Sequence, residues 1–504
     1  MRTPSRKWTV AAAAVVALTA GTLVSWQANA EPDAAALDWK PCSEDGKVDC
    51  ATVAVPLDWS DPNGETIDIG LARRRATNPD ERIGSILMDP GGPGGSGVQL
   101  VKDGGVFTGA VDERFDTIGF DPRGVNTSTQ VKCDPELTQT ARAAMDPRTP
   151  KEYERTVELS GELAADCREK TGPLYDHVSN LDVVKDMEAI RVALGEGKLN
   201  FVGYSYGTLM GQQYAEAYPD KIRAMVMDGN MDHSITSTYK HMATQVKAAE
   251  DIFVEFADWC DTDAKCALNG MDTRKVYGEL RDKAKAGELT DPSTGDKIDF
   301  NTFSSFIPRN ARPNNWAGLA DNLKALYEGK GKVAKTMVKA EPINLPVQAM
   351  WCQDWDLPVG GFGEWTKLRK KLAKKYPNTQ WTSNLDNSLM CEGYPGETTN
   401  PQERLDIDDA PPLVMLGNLH DPATVYSWSK AAAKQSGASL ITYEGFGHTI
   451  YAYGRKSECV NDAVDDYLID LKVPQDGLRC PALEKPGASG KTLDAPFDDS
   501  LDYN

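Results

Sequence analysis

Short apolar runs alternate with amphipathic stretches along most of the chain. The runs Gly84 to Met88, Phe115 to Phe120, Leu199 to Val202, Ala224 to Asp228, Pro412 to Leu416 and Leu440 to Tyr443 are bounded by turn-forming or polar residues and read as buried strands. Leu181 to Leu194 sets Met187, Ile190 and Leu194 at helical spacing, and Gly195-Glu196-Gly197 then breaks the pattern. Thr208 to Tyr218 and the region from Asn461 to Leu471 read as further helices. Nearer the start, Ala51 to Leu57 and Thr66 to Arg74 flank the turn signal Asp61-Pro62-Asn63-Gly64, which predicts a hairpin. Strands alternating with helices imply an α/β architecture with a mostly parallel sheet covered on both faces.

That alternation stops after Asp228 and resumes only at Pro412. Residues 235–405 are read as a mainly helical cap inserted between two parts of the sheet, 31–234 and 406–485, with a loose tail at 486–504. Within the insertion, Leu368, Leu372 and Tyr376 form one face of a basic helix, a solvated cap helix on this reading.

The first thirty residues carry Arg2, Arg6 and Lys7, an apolar run from Val10 to Val24, and Ala28-Asn29-Ala30 as a cleavage site, the pattern of a secretory signal peptide. The mature chain is expected to begin at Glu31 and to act outside the cell or at the wall, with no membrane insertion. Formal charge is -20, and three units more negative without the signal, which disfavours nucleic-acid partners. Ten cysteines follow the signal, at 42 and 50, 133 and 167, 260 and 266, 352 and 391, and 459 and 480. Pairing of neighbours in sequence is the simplest disulfide framework for an oxidising compartment. No C-x-x-C or H-E-x-x-H pattern occurs, so neither a metal nor another cofactor is expected.

The candidate chemistry centres on Gly203-Tyr204-Ser205-Tyr206-Gly207, between a strand and a helix. A nucleophile elbow has this form: the turn holds the serine hydroxyl exposed at the sheet edge, and small flanking residues let strand and helix approach. A serine hydroxyl needs a base, and the base an orienting carboxylate. Of five histidines, His448 in Gly445-Phe446-Gly447-His448-Thr449 follows the last strand and is the expected base, with His420 as a weaker alternative. Asp421 follows the Pro412 to Leu416 strand and is the expected acid, whereas Asp408 and Asp409 precede it and fall at the wrong end. An oxyanion needs two preorganised N–H donors: Tyr206 after the nucleophile, and Gly92 in the glycine-rich loop Asp89 to Gly97. Arg123 in Asp121-Pro122-Arg123-Gly124 is read as a support, paired with a buried carboxylate or left as a surface charge.

With these residues placed, the chain resembles the secreted bacterial tripeptidyl aminopeptidases, relatives of prolyl iminopeptidase within the α/β-hydrolases. The resemblance spans nearly all of the mature chain and rests on five segments: Asp89 to Gly97, Gly119 to Gly124, Gly203 to Thr208, Met227-Asp228-Gly229 and Gly417 to Thr424. It implies a Ser205, Asp421, His448 triad beneath a helical cap. Asn126 stands where such sequences often carry glycine, and Pro90 where prolyl iminopeptidases usually carry histidine. An aminopeptidase also has to recognise a free ammonium, and Asp354 and Asp356 in the cap are the candidates, held near Cys352. Trp316, Trp351, Trp355, Trp365 and Trp381 either line a pocket or pack the cap. The leading expectation is a serine exopeptidase that releases short N-terminal peptides; the alternative is an esterase or amidase acting on small acyl substrates.

Overall fold

The computed structural model describes residues 37–334, 347–452 and 457–484. The expected signal at 1–30 and tail at 486–504 lie outside the described residues. Among those described, ten strands form one sheet: β1 (Lys40–Pro41), β2 (Val48–Pro56), β3 (Thr66–Arg74), β4 (Gly84–Asp89), β5 (Phe115–Phe120), β6 (Leu199–Tyr204), β7 (Ile222–Asp228), β8 (Val414–His420), β9 (Ser439–Phe446) and β10 (Arg479–Cys480). Their spatial order is β1-β2-β3-β5-β4-β6-β7-β8-β9-β10. The expected hairpin is β2 and β3, antiparallel, and β3 joins β5 antiparallel; from β5 across to β10 every neighbouring pair runs parallel. Both faces of the parallel part are covered, and every residue of β4, β5 and β6 is buried. Continuous apolar strands are what such burial requires.

Strand order reverses at β4, whose chain continues to β5 on one side and later to β6 on the other. Because these strands are parallel, the loops after β4, β6, β8 and β9 emerge at one carboxyl edge, where ligands of open α/β sheets bind. The glycine-rich loop, Ser205, Asp421 and His448 occupy those four loops.

Between β7 and β8 the chain leaves the sheet and builds helices, among them Thr238–Thr262, Thr273–Ala286, Trp316–Glu328, Val347–Asp354 and Phe362–Lys375. They enclose an aromatic core of their own that includes Phe253, Phe256, Tyr277, Phe303, Trp316 and Trp365. Phe446 at the end of β9 joins it, with its ring edge-on to Trp316 at 5.2 Å. The basic helix Phe362–Lys375 buries Trp365, Leu368 and Leu372 and leaves its lysines outward.

All ten cysteines pair with their neighbours in sequence: 42 with 50, 133 with 167, 260 with 266, 352 with 391, and 459 with 480. Of the two readings of Arg123, the buried one holds: its guanidinium meets Asp186 at 2.6 and 2.7 Å and also donates to the carbonyls of Pro56, Leu57 and His177. Asn126 adopts a left-handed φ of 38°, a conformation that also suits glycine, and its amide donates to Ser96 and Asp121.

Candidate active site

Ser205 is the first residue past β6 and has a φ of 54°. A non-glycine residue in this region costs about 1–2 kcal/mol and persists only where its surroundings hold it. Its N–H donates to the Asp228 carbonyl at 2.9 Å, and its own carbonyl accepts from the Thr208 hydroxyl at 2.6 Å. The flanking glycines are there for space. A Cβ at Gly203 would sit 2.5 Å from the Gly207 carbonyl oxygen, and one at Gly207 would sit 2.8 Å from Asp89 Oδ1.

Asp421 lies one residue beyond β8 and is fully buried. Its Oδ1 accepts the N–H groups of Ala423 and Thr424, and its Oδ2 accepts the Thr424 hydroxyl. Both oxygens face His448 Nδ1, at 3.0 and 2.9 Å. This contact fixes the orientation of the ring. The weaker alternative, His420, is instead stacked on Phe446 with ring centroids 4.1 Å apart, and burial lowers its pKa.

The His448 loop is gripped from below. Asp228 Oδ2 accepts the N–H groups of Ile450 and Tyr451, both at 2.7 Å, while the same residue's carbonyl holds Ser205. Asn418 donates to the carbonyls of Gly447 and Thr449. Neither Asp228 nor Asn418 was expected from sequence; Met227-Asp228-Gly229 stood out only as a matching motif.

On the other side of Ser205, Tyr206 begins the helix Gly207–Ala217. The Gly91 backbone lies against its amide, since a Cβ at 91 would meet Tyr206 N at 2.7 Å. Gly91's own N–H donates to Asp89 Oδ1 at 2.7 Å. The glycine-rich turn and the start of the helix therefore adjoin, with Gly92 next along the turn.

The two cap acids proposed for ammonium binding differ in their surroundings. Asp354 is buried, and its carboxylate already accepts the Asn180 N–H at 2.8 Å, the Asn400 amide at 2.7 Å and the Tyr206 hydroxyl. Burial pushes its pKa up to about 7 against the opposing pull of these donors. Its carbonyl meets His233 Nε2 at 2.6 Å. Asp356, by contrast, is exposed. Trp316, Trp365 and Trp381 pack within the cap, whereas Trp351 and Trp355 stack at 5.1 Å and line a cleft with His241, Met242 and Leu357. Trp351 also faces the Tyr206 ring at 6.2 Å, and burial pushes His241 down to about 4, so this wall is uncharged at neutral pH.

A serine on a strained strand-to-helix turn, with later loops bringing an imidazole and a carboxylate to the same sheet edge, defines the class of α/β-fold serine hydrolases. The family models agree. Residues 84–258 match the alpha/beta hydrolase fold and residues 376–480 match the TAP-like protein model. Among relatives, the chain is 29% identical to the serine protease Hip1 of Mycobacterium tuberculosis, covering 88% of this chain and 91% of that protein. It is 28% identical to the tripeptidyl aminopeptidase of Streptomyces lividans, covering 88% and 87%. It is also 30% identical to carboxylesterase B of Mycobacterium tuberculosis, covering 86% of each. The chain belongs to the α/β-hydrolase family, in the branch with a TAP-like C-terminal segment.

Proposed function

We propose that the protein is a secreted serine exopeptidase that removes short peptides, tripeptides on the leading reading, from free N-termini. Ser205 is the nucleophile, His448 the base and Asp421 the acid that orients it. The observation that carries this reading is the 2.9 Å contact between His448 Nδ1 and a buried Asp421, at the sheet edge that also presents Ser205. In the acylation step, Ser205 Oγ attacks the scissile carbonyl as His448 takes its proton, and the imidazolium then protonates the departing amine. Water then attacks the acyl carbon as it gives a proton to the same imidazole, and the imidazolium returns that proton to Ser205 Oγ as the N-terminal fragment leaves. The oxyanion is assigned to the N–H groups of Tyr206 and Gly92; Gly91 is passed over because its N–H is engaged by Asp89. Losing one such donor costs roughly 2.7–4 kcal/mol in the transition state.

The cap supports restriction of the site to chain ends, and the names of the serine protease and tripeptidyl aminopeptidase relatives support a peptide substrate. Five disulfides fit an extracellular setting, and no described helix is long and apolar enough to cross a membrane. Ammonium recognition falls to exposed Asp356 in preference to Asp354, whose oxygens are occupied. A second reading, hydrolysis of small acyl esters or amides, is favoured by the carboxylesterase relative and by the uncharged aromatic cleft.

Hydrolysis of three substrates separates them: a tripeptide anilide with a free amine, its N-acetylated form and a short-chain aryl ester. The exopeptidase reading expects the anilide to be cleaved, acetylation to abolish cleavage, and Ser205→Ala to lower kcat by at least about 10³-fold. Equal rates with and without acetylation reject ammonium recognition. Ester cleavage alone selects the second reading.

A further inference from the structure

Arg312 lies in the cap, just before the helix Trp316–Glu328, yet its side chain is buried at 8% exposure and reaches into the loop after β9. Nη1 donates to the Phe446 carbonyl at 3.2 Å, and Nη2 donates to the carbonyls of His448 at 3.1 Å and Thr449 at 3.2 Å. Glu484 lies 3.8 Å from Nη1 on the other flank. The guanidinium sits so close over the loop that a Cβ at Gly447 would lie 2.6 Å from its Cζ. The neighbouring Trp316 ring packs edge-on against Phe446.

The loop held in this way is not relaxed. Thr449 and Ala452 have φ values of 54° and 55°, left-handed for residues that carry a Cβ. Asp228 and Asn418 hold the loop from the sheet, and Arg312 is the cap's contribution. The fork geometry of a guanidinium suits several carbonyls at once, which a lysine ammonium matches poorly.

We propose that Arg312 is a positioning residue through which the seating of the cap sets the placement of the His448 imidazole. The proposal rests on the reading of His448 as the base. Arg312 contacts the backbone of the base loop, so its effect on the reaction runs through the geometry of that loop. A shift of about 1 Å in a reacting group costs on the order of 10²-fold in rate.

The test uses the full-length mature protein, with steady-state kinetics on the best substrate alongside the rate at which a small fluorophosphonate labels Ser205. The label reports nucleophile activation and needs no peptide subsite. Arg312→Ala is expected to lower kcat by about 30–100-fold and labelling by a similar factor, with KM held within about twofold. Arg312→Lys recovers part of both. Arg312→Met, which keeps an apolar stem in place and removes the guanidinium, gives the same kcat-only loss. A folded Arg312→Ala with wild-type kcat, or with its loss confined to KM, or with labelling unchanged, overturns the proposal. Should Arg312→Ala fail to fold, wild-type kcat in a folded Arg312→Met overturns it instead. Failure of the wild type to label at Ser205 removes the hydrolase reading and this proposal together, whereas normal wild-type labelling with indifferent Arg312 variants removes only the proposal.

Discussion

Asp228 faces two ways. Its carbonyl receives the N–H of Ser205, and its carboxylate receives the two N–H groups that follow Thr449, so one buried residue registers the Ser205 turn against the His448 loop. Gly229 beside it leaves room for the imidazole, since a Cβ there would stand 3.1 Å from His448 Cε1. Asp228→Ala leaves two buried N–H groups without their acceptor, at about 1–3 kcal/mol each. The expected outcome is a folded but less stable protein whose kcat falls about 10–100-fold while KM changes little, measured by steady-state kinetics beside a thermal melt. A proportional rise in KM would instead assign the residue to substrate binding.

At the scale of elements, Arg123 joins the β2–β3 hairpin region to the helix Asn180–Ala193 through Asp186 and three carbonyls. Removing one partner of a buried ion pair strands the other, so Arg123→Ala is expected to cost about 3–5 kcal/mol, read as a lowered denaturation midpoint. The main strands were legible in the chain because parallel strands buried on both faces are mostly apolar, and β4 to β9 each carry such a short, predominantly apolar run bounded by turn residues. The elbow was legible because Gly203 and Gly207 answer a local steric need. β1 and β10, two residues each, carry no periodicity; each has a cysteine in or beside it, bonded through Cys42–Cys50 and Cys459–Cys480. The roles of Asp228, Asn418 and Arg312 were not legible because their partners are main-chain atoms of remote segments, which no spacing encodes. The engagement of Asp354 was equally hidden, since an acidic sequence offers no sign of which carboxylate will be enclosed.

Across the whole molecule, Asp354 ties the cap to the residue after the nucleophile and makes stability depend on pH. Its folded pKa of about 7 lies above the unfolded value of roughly 3.9, so the native state holds this proton more tightly. The stability it contributes is complete below about pH 4 and is lost as pH rises through about 7. Asp354→Asn is expected to flatten the fall in stability between pH 4 and pH 7, by up to about 1.4 kcal/mol for each pH unit inside that window. Denaturant titrations of both proteins at the two pH values check the difference, and parallel slopes would contradict it. The order of parts along the chain carries a temporal consequence. Ser205 is synthesised first, the residues between β7 and β8 follow, and His448 comes after both, so a nascent polypeptide that has not yet passed β9 has no means of bringing these two side chains to one sheet edge.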